Sequence, residues 1–99
     1  MEKRSPHYRL TEIQEQMNTV EAMNLTVSAR NGIRISGMNL YDALMAIRAL
    51  SRKDFYKSMT THASSRVWQD VYHAVWHGKE FYLKFQKNGE YFVISFKEL

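Results

Sequence analysis

The residues best suited to chemistry are concentrated after Lys53. Lys57, Tyr82, Lys84 and Lys97 fall in stretches where polar and apolar residues alternate. Such lysine and phenol side chains can cut RNA without a metal. A base takes the proton from a ribose 2′-hydroxyl, the freed oxygen attacks the adjacent phosphorus, an acid protonates the departing 5′ oxygen, and cations hold the phosphate's charge. A lysine acting as base needs a lowered pKa, which neighbouring lysines supply by like-charge repulsion. The bland reading of the same residues is a solvated sheet face, which antiparallel sheets commonly turn to water.

Other chemistries find little support. There is no cysteine, so disulfides, a thiolate nucleophile and a Cys-based zinc site are excluded. The histidines are His7, His62, His73 and His77. None of them has HExxH-type ligand spacing. His73 and His77 are four apart, but a glycine follows and the segment reads as a strand end and loop, so no metal is expected. His62, beside the Lys57–Thr61 stretch, is either an acid–base candidate or an exposed loop residue. No phosphate-binding glycine loop, G-x-S-x-G elbow or paired-carboxylate signature occurs, which argues against an NTPase, a serine hydrolase or a glycosidase.

The elements that must position these groups divide into a helical half and a strand half, a pattern that predicts α+β with helices on one face of an antiparallel sheet. A first helix is expected to begin near Pro6 or Thr11, capped by Ser5 or by a Thr11–Gln14 capping box, with Leu10, Ile13, Met17 and Val20 on one side. A second, weakened by Gly32, spans 28–36. A third starts at the cap Asn39 and carries Leu40, Ala43, Leu44, Ile47 and Leu50. Strands are predicted over Phe55–Thr61, Arg66–Ala74, Lys79–Lys87 and Glu90–Lys97. Asn88-Gly89 predicts a two-residue type I′ turn. That register pairs Lys87 with Glu90, Phe85 with Phe92, Leu83 with Ile94 and Phe81 with Phe96, making one face wholly apolar. The other face then holds Glu80, Tyr82, Lys84, Gln86, Tyr91, Val93, Ser95 and Lys97, with Tyr82 opposite Ser95 and Lys97 opposite Glu80. Trp76 is expected in a loop, free to stack on an RNA base or packed on the sheet edge.

The 99 residues suit one compact domain, expected to span 1–99 without repeat or linker. The net charge is +4, and residues 52–99 carry eight Lys/Arg against five Asp/Glu. A basic balance of this kind attracts polyanions. Met1–Arg9 is charged with no apolar core after it, so no signal peptide is expected, and no apolar run approaches the ~20 residues of a membrane span. A soluble protein that does not engage membranes is the expectation.

Several segments resemble one family. Met1-Glu2-Lys3-Arg4-Ser5-Pro6-His7, Asp54-Phe55-Tyr56-Lys57-Ser58-Met59-Thr60-Thr61, Trp68-Gln69-Asp70-Val71-Tyr72, Tyr82-Leu83-Lys84 and Val93-Ile94-Ser95-Phe96-Lys97-Glu98 are, in that order, similar to the MqsR (motility quorum-sensing regulator) toxins. The match covers the whole chain and is loose between about Thr11 and Ser51. Departures also fall in the loop His73-Ala74-Val75-Trp76-His77-Gly78. The resemblance implies a RelE-like ribonuclease fold and a cytoplasmic, ribosome-independent, metal-independent mRNA interferase of a type II toxin–antitoxin system, cutting GCU-type sites without a cofactor. It implies as partner an MqsA-like antitoxin, zinc-binding and carrying a helix-turn-helix, through which alone DNA would be reached. It assigns catalysis to Lys57, Gln69 and Tyr82, with Lys97 and Met59 in support and Lys84 as an RNA-binding neighbour. Lys57 is then base or phosphate holder. Tyr82 donates a hydrogen bond or proton, or stacks on a base. Gln69 orients the phosphate or reads a base edge, Lys97 adds charge and Met59 forms an apolar wall. The competing reading is a protein that binds RNA or a transcription regulator without cutting.

Overall fold

The computed structural model describes residues 1–99. Strand β1 (Glu2–Lys3) is followed by helices α1 (Leu10–Gln16), α2 (Val27–Ile35) and α3 (Leu40–Arg48), then by strands β2 (Phe55–Thr60), β3 (Trp68–Trp76), β4 (Lys79–Asn88) and β5 (Glu90–Glu98). Short 3-10 turns lie at Glu21–Met23 and Arg52–Asp54. The strands form one antiparallel sheet in the order β1-β2-β3-β4-β5. The expected α+β architecture is therefore present, compatible with a RelE-like fold. No helix is long and apolar enough to cross a membrane.

The helices start where backbone donors find acceptors. Asn39 and Asp42 close a reciprocal capping box on α3, and the Thr26 hydroxyl accepts from the Ala29 amide at the start of α2. The first helix starts at Leu10, beside Thr11 as expected, but its capping differs: Arg9 makes no side-chain cap, and neither Ser5 nor Thr11 caps it. Gln14 turns instead to α3, donating to the carbonyls of Ile47, Arg48 and Leu50 at 3.1, 3.3 and 2.9 Å. Arg48 donates back to Gln14 and Met17 carbonyls. Each helix thus satisfies free carbonyls of the other.

All three helices bury apolar stripes against one face of the sheet. Ile13, Met17, Ile33, Leu44 and Ile47 join Tyr72, Phe81, Leu83, Phe85, Val93 and Phe96 in the core. Helix α2 docks along β5, and the segment leading into it covers that strand's free edge, where Thr26 N donates to Val93 O and Val93 N to Asn24 O. Gly32 permits this approach: a Cβ there would lie 1.9 Å from the Phe96 carbonyl oxygen. The glycine that weakens α2 in isolation is the one that lets it dock.

The β4–β5 register differs from expectation. Asn88 does not adopt the positive φ that a type I′ turn requires; only Gly89 does, at 74°. Asn88 pairs with Glu90, Lys87 with Tyr91, Gln86 with Phe92 and Phe85 with Val93, followed by a bulge that omits Ile94. Lys84 then pairs with Ser95, Leu83 with Phe96 and Tyr82 with Lys97. Tyr91 and Val93 are therefore buried and Phe92 belongs to the open face, the reverse of the expected assignment. The turn with two positive-φ residues is His77-Gly78, at 50° and 80°, which carries β3 directly into β4. Trp76 accordingly pairs with Lys79 at a strand end and packs against the core rim rather than sitting in a loop.

Two substitutions test this packing. Gly32→Ala should lower the unfolding free energy by about 1–3 kcal/mol through overpacking, measured by urea denaturation. Tyr72 is fully buried, its hydroxyl has no partner, and burial pushes its pKa up to about 12. Removing an unsatisfied buried hydroxyl relieves a desolvation cost, so Tyr72→Phe should stabilise the protein by about 1 kcal/mol. Because the unfolded phenol ionises first, stability should fall as pH rises from about 10 toward 12, and less steeply in Tyr72→Phe.

A candidate nucleic-acid interface on the open face of the sheet

Cross-strand pairing arranges the open face in rows. The first runs Met59–Gln69–Gln86–Phe92, the second Lys57–Val71–Lys84–Ser95, and the third His73–Tyr82–Lys97. A bulge between Phe55 and Lys57 brings Tyr56 onto the third row, stacked on His73 with centroids 4.3 Å apart and planes at 15°. Rows lie about 7 Å apart and strands about 4.8 Å. Lys57, Met59, Gln69, Tyr82, Lys84 and Lys97 therefore share one face within a patch on the order of 15 Å across. His62 is exposed in the β2–β3 connection and is not part of it. No three His, Asp or Glu side chains gather as a metal-holding group.

Each row has its own character. In the first, Gln69 Nε2 donates to Gln86 Oε1 at 2.7 Å, leaving an amide nitrogen and a carbonyl oxygen of the pair for outside partners. In the second, Val71 is fully buried yet lies outside the core cluster, so it forms a dry floor between Lys57 and Lys84. In the third, aromatic rings run between two cations. Lys97 Nζ is 5.2 Å from the Tyr82 ring, the His73 and Tyr82 centroids are 5.6 Å apart, and the Arg4 guanidinium is 5.9 Å from Tyr56.

The lysines are not electrostatically equivalent. Lys57 hydrogen-bonds Glu2, which β1 carries onto this face beside Met59. The bond raises the Lys57 pKa and lowers that of Glu2. The expectation that neighbouring lysines depress Lys57 is thus not met, because a carboxylate stands closer. Lys84 behaves in the expected way: desolvation first, then the charge of Lys97, pull its pKa below the ordinary lysine value. Burial raises Tyr82, with Lys57 opposing. Neither Tyr82, Lys84 nor Lys97 spends its polar end on a hydrogen bond within the protein, whereas Lys57 and Gln69 do.

Sequence reasoning missed Glu2, Tyr56 and His73 as members of this patch, while Gln86 stands on the face the alternation assigned it. The period-two pattern through Gln69 and Val71 reaches His73 directly. Tyr56 could not be found that way, because the bulge breaks the alternation on which the pattern rests.

The lysine difference can be read by NMR of isotopically methylated lysines. Lys84 should titrate below, and Lys57 above, the ordinary lysine range. Glu2→Gln should lower Lys57 without moving Lys84, and Lys97→Met should raise Lys84. Identical titration of the two lysines would contradict this electrostatic arrangement.

Comparison with known proteins identifies the family. Residues 5–98 match the family described as "Motility quorum-sensing regulator, toxin of MqsA". The chain is 35% identical over 98 residues to the mRNA interferase toxin MqsR of Escherichia coli (strain K12), covering 99% of each sequence. With a match from Ser5 to Glu98 and a full-length relative, this chain belongs to the MqsR toxin family.

Proposed function

We propose that the protein is an mRNA interferase: a toxin that cuts messenger RNA, is restrained by a cognate antitoxin, and works from the open face of its sheet. The observation that carries this reading is the gathering of Lys57, Gln69, Tyr82, Lys84 and Lys97 on one face, their chemistry sorted by row. The antitoxin follows from the family, described as the toxin of MqsA. Its zinc-binding part and DNA-binding helix-turn-helix, the cytoplasmic setting, independence of the ribosome and preference for GCU-type sites rest on the sequence resemblance.

The phosphate sits over the lysine row. Lys57, held protonated by Glu2, and Lys97 bind its charged oxygens and stabilise the charge that builds during attack. Lys84, whose pKa is lowered by desolvation and then by the charge of Lys97, takes the 2′-hydroxyl proton. Tyr82 donates a hydrogen bond to a phosphate oxygen from beside Lys97. Gln69, paired with Gln86, presents donor and acceptor to a base edge, and Met59 walls that side. Lys57 is thereby a phosphate holder rather than a base.

The experiment is cleavage of a short GCU-containing RNA by purified protein in EDTA. Lys57→Ala and Tyr82→Phe, with unchanged circular dichroism, should each slow cutting by on the order of 100-fold or more. RNA binding by the Tyr82→Phe protein should weaken steeply with salt, as phosphate contacts demand. RNA left intact at enzyme excess would overturn the nuclease reading, and tight binding without cutting would establish the non-catalytic alternative.

A further inference from the structure

His73 stands at the centre of the open face without an assigned role. Its ring is stacked on Tyr56 at 4.3 Å and 15° and lies 5.6 Å from Tyr82. It is half-buried, and its nitrogens make no hydrogen bond within the protein. The Tyr56 stack covers one face of the imidazole and leaves its two ring nitrogens unbonded. Position 73 is directly opposite Tyr82 and diagonal to Lys84, a diagonal that spans about 7–8 Å in an antiparallel pair. Side chains rooted at that spacing can reach a single phosphodiester from two sides.

We propose that His73 is the general acid of the cleavage reaction, donating the proton to the departing 5′ oxygen. The inference rests on the ribonuclease reading above and supplies the group that reading leaves unnamed. Neutral Lys84 accepts the proton of the 2′-hydroxyl and the bond from the 2′ oxygen to phosphorus forms. The bond from phosphorus to the 5′ oxygen breaks, its electron pair stays on that oxygen, and the imidazolium of His73 protonates it. The products are a 2′,3′-cyclic phosphate and a 5′-hydroxyl, and solvent resets the two side chains. No oxidant, reductant or further reactant is required.

The surroundings favour this role. The charged and titratable groups facing His73 are Tyr56 and Lys57 from β2, and Glu80, Tyr82 and Lys84 from β4, with Arg4 over Tyr56 and Lys97 over Tyr82. Among these side-chain types imidazole alone ordinarily changes charge between pH 5 and 8. Tyr56 stacks on one face of the imidazole and the Tyr82 ring stands beside it, tilted by 46°, so that Tyr82 brings a phenol to the same phosphate.

The test uses two RNAs of one sequence, one normal and one with sulfur replacing the 5′ oxygen at the cut site. A thiolate departs without being protonated. His73→Gln should cut the normal RNA about 100-fold or more slowly, lose the inflection nearest neutrality in its pH–rate profile, and cut the sulfur RNA nearly as fast as the parent protein does. Circular dichroism and melting confirm that the variant folds, and His73→Asn serves as a second variant. Equal slowing on both RNAs overturns the acid role, as does full activity of His73→Arg, which keeps a charge but no acid useful at neutral pH. If the parent protein cuts neither RNA, the ribonuclease reading itself fails. If it cuts both and His73→Gln is unimpaired, only the assignment of His73 fails.

Discussion

Asp70 is a carboxylate with no exposed surface in the middle of β3, and a buried group of that kind persists only where its lone pairs are matched. It accepts from the Ser58 hydroxyl at 2.6 Å, from the His7 amide at 3.1 Å and from the Tyr8 amide at 2.9 Å. Two of these donors belong to the chain's first residues. The carboxylate therefore ties the segment after β1 to the covered side of the sheet, which keeps β1 paired along β2. That pairing sets Glu2 beside Met59, within reach of Lys57. A polar contact under the sheet thus helps place the carboxylate that raises the pKa of a lysine on top of it.

The second control over the open face is the pair of bulges. A strand without irregularities alternates strictly, and a slip of one residue exchanges its faces. The bulge in β2 places both Tyr56 and Lys57 toward solvent, so one strand supplies an aromatic and a cation side by side. The bulge at Ile94 reverses the alternation of β5. Val93 lies in the core before it and Phe96, three residues later, lies in the core after it. Without that extra residue, Lys97 could not stand opposite Tyr82 while Val93 stayed buried. Bulges commonly re-aim side chains near functional sites, and here each adds one member to the aromatic row.

Much of this was legible in the sequence. Alternation located β2 to β5 within about two residues, the range over which element boundaries ordinarily disagree, and Asn39 marked the start of α3. The shared face of Lys57, Gln69 and Tyr82 was anticipated, although no tight turn sets the position of Gln69 against Lys57. What escaped has physical causes. Strand β1 is two residues long, too short for any period, and is held by partners distant in sequence. Asn88-Gly89 has the composition of a type I′ turn, but β5 has to bury Tyr91, Val93 and Phe96 together, and that burial outweighs the local preference. Gln14 matched a capping pattern, yet the open carbonyls at the end of α3 offered it three bonds instead of one.

The three lysines of the face show how one residue type is given separate tasks. Lys57 meets a carboxylate and is held charged. Lys97 lies over the Tyr82 ring, where the π cloud favours a cation without neutralising it. Lys84 has neither partner. It stands beside the dry floor of Val71, close enough to Lys97 to feel its charge, and the cost of remaining protonated rises accordingly. Composition alone would count three equivalent positive charges. The sheet gives them three different surroundings, a carboxylate for Lys57, an aromatic ring for Lys97 and a half-buried place beside another lysine for Lys84, because each row position sets which neighbour comes closest.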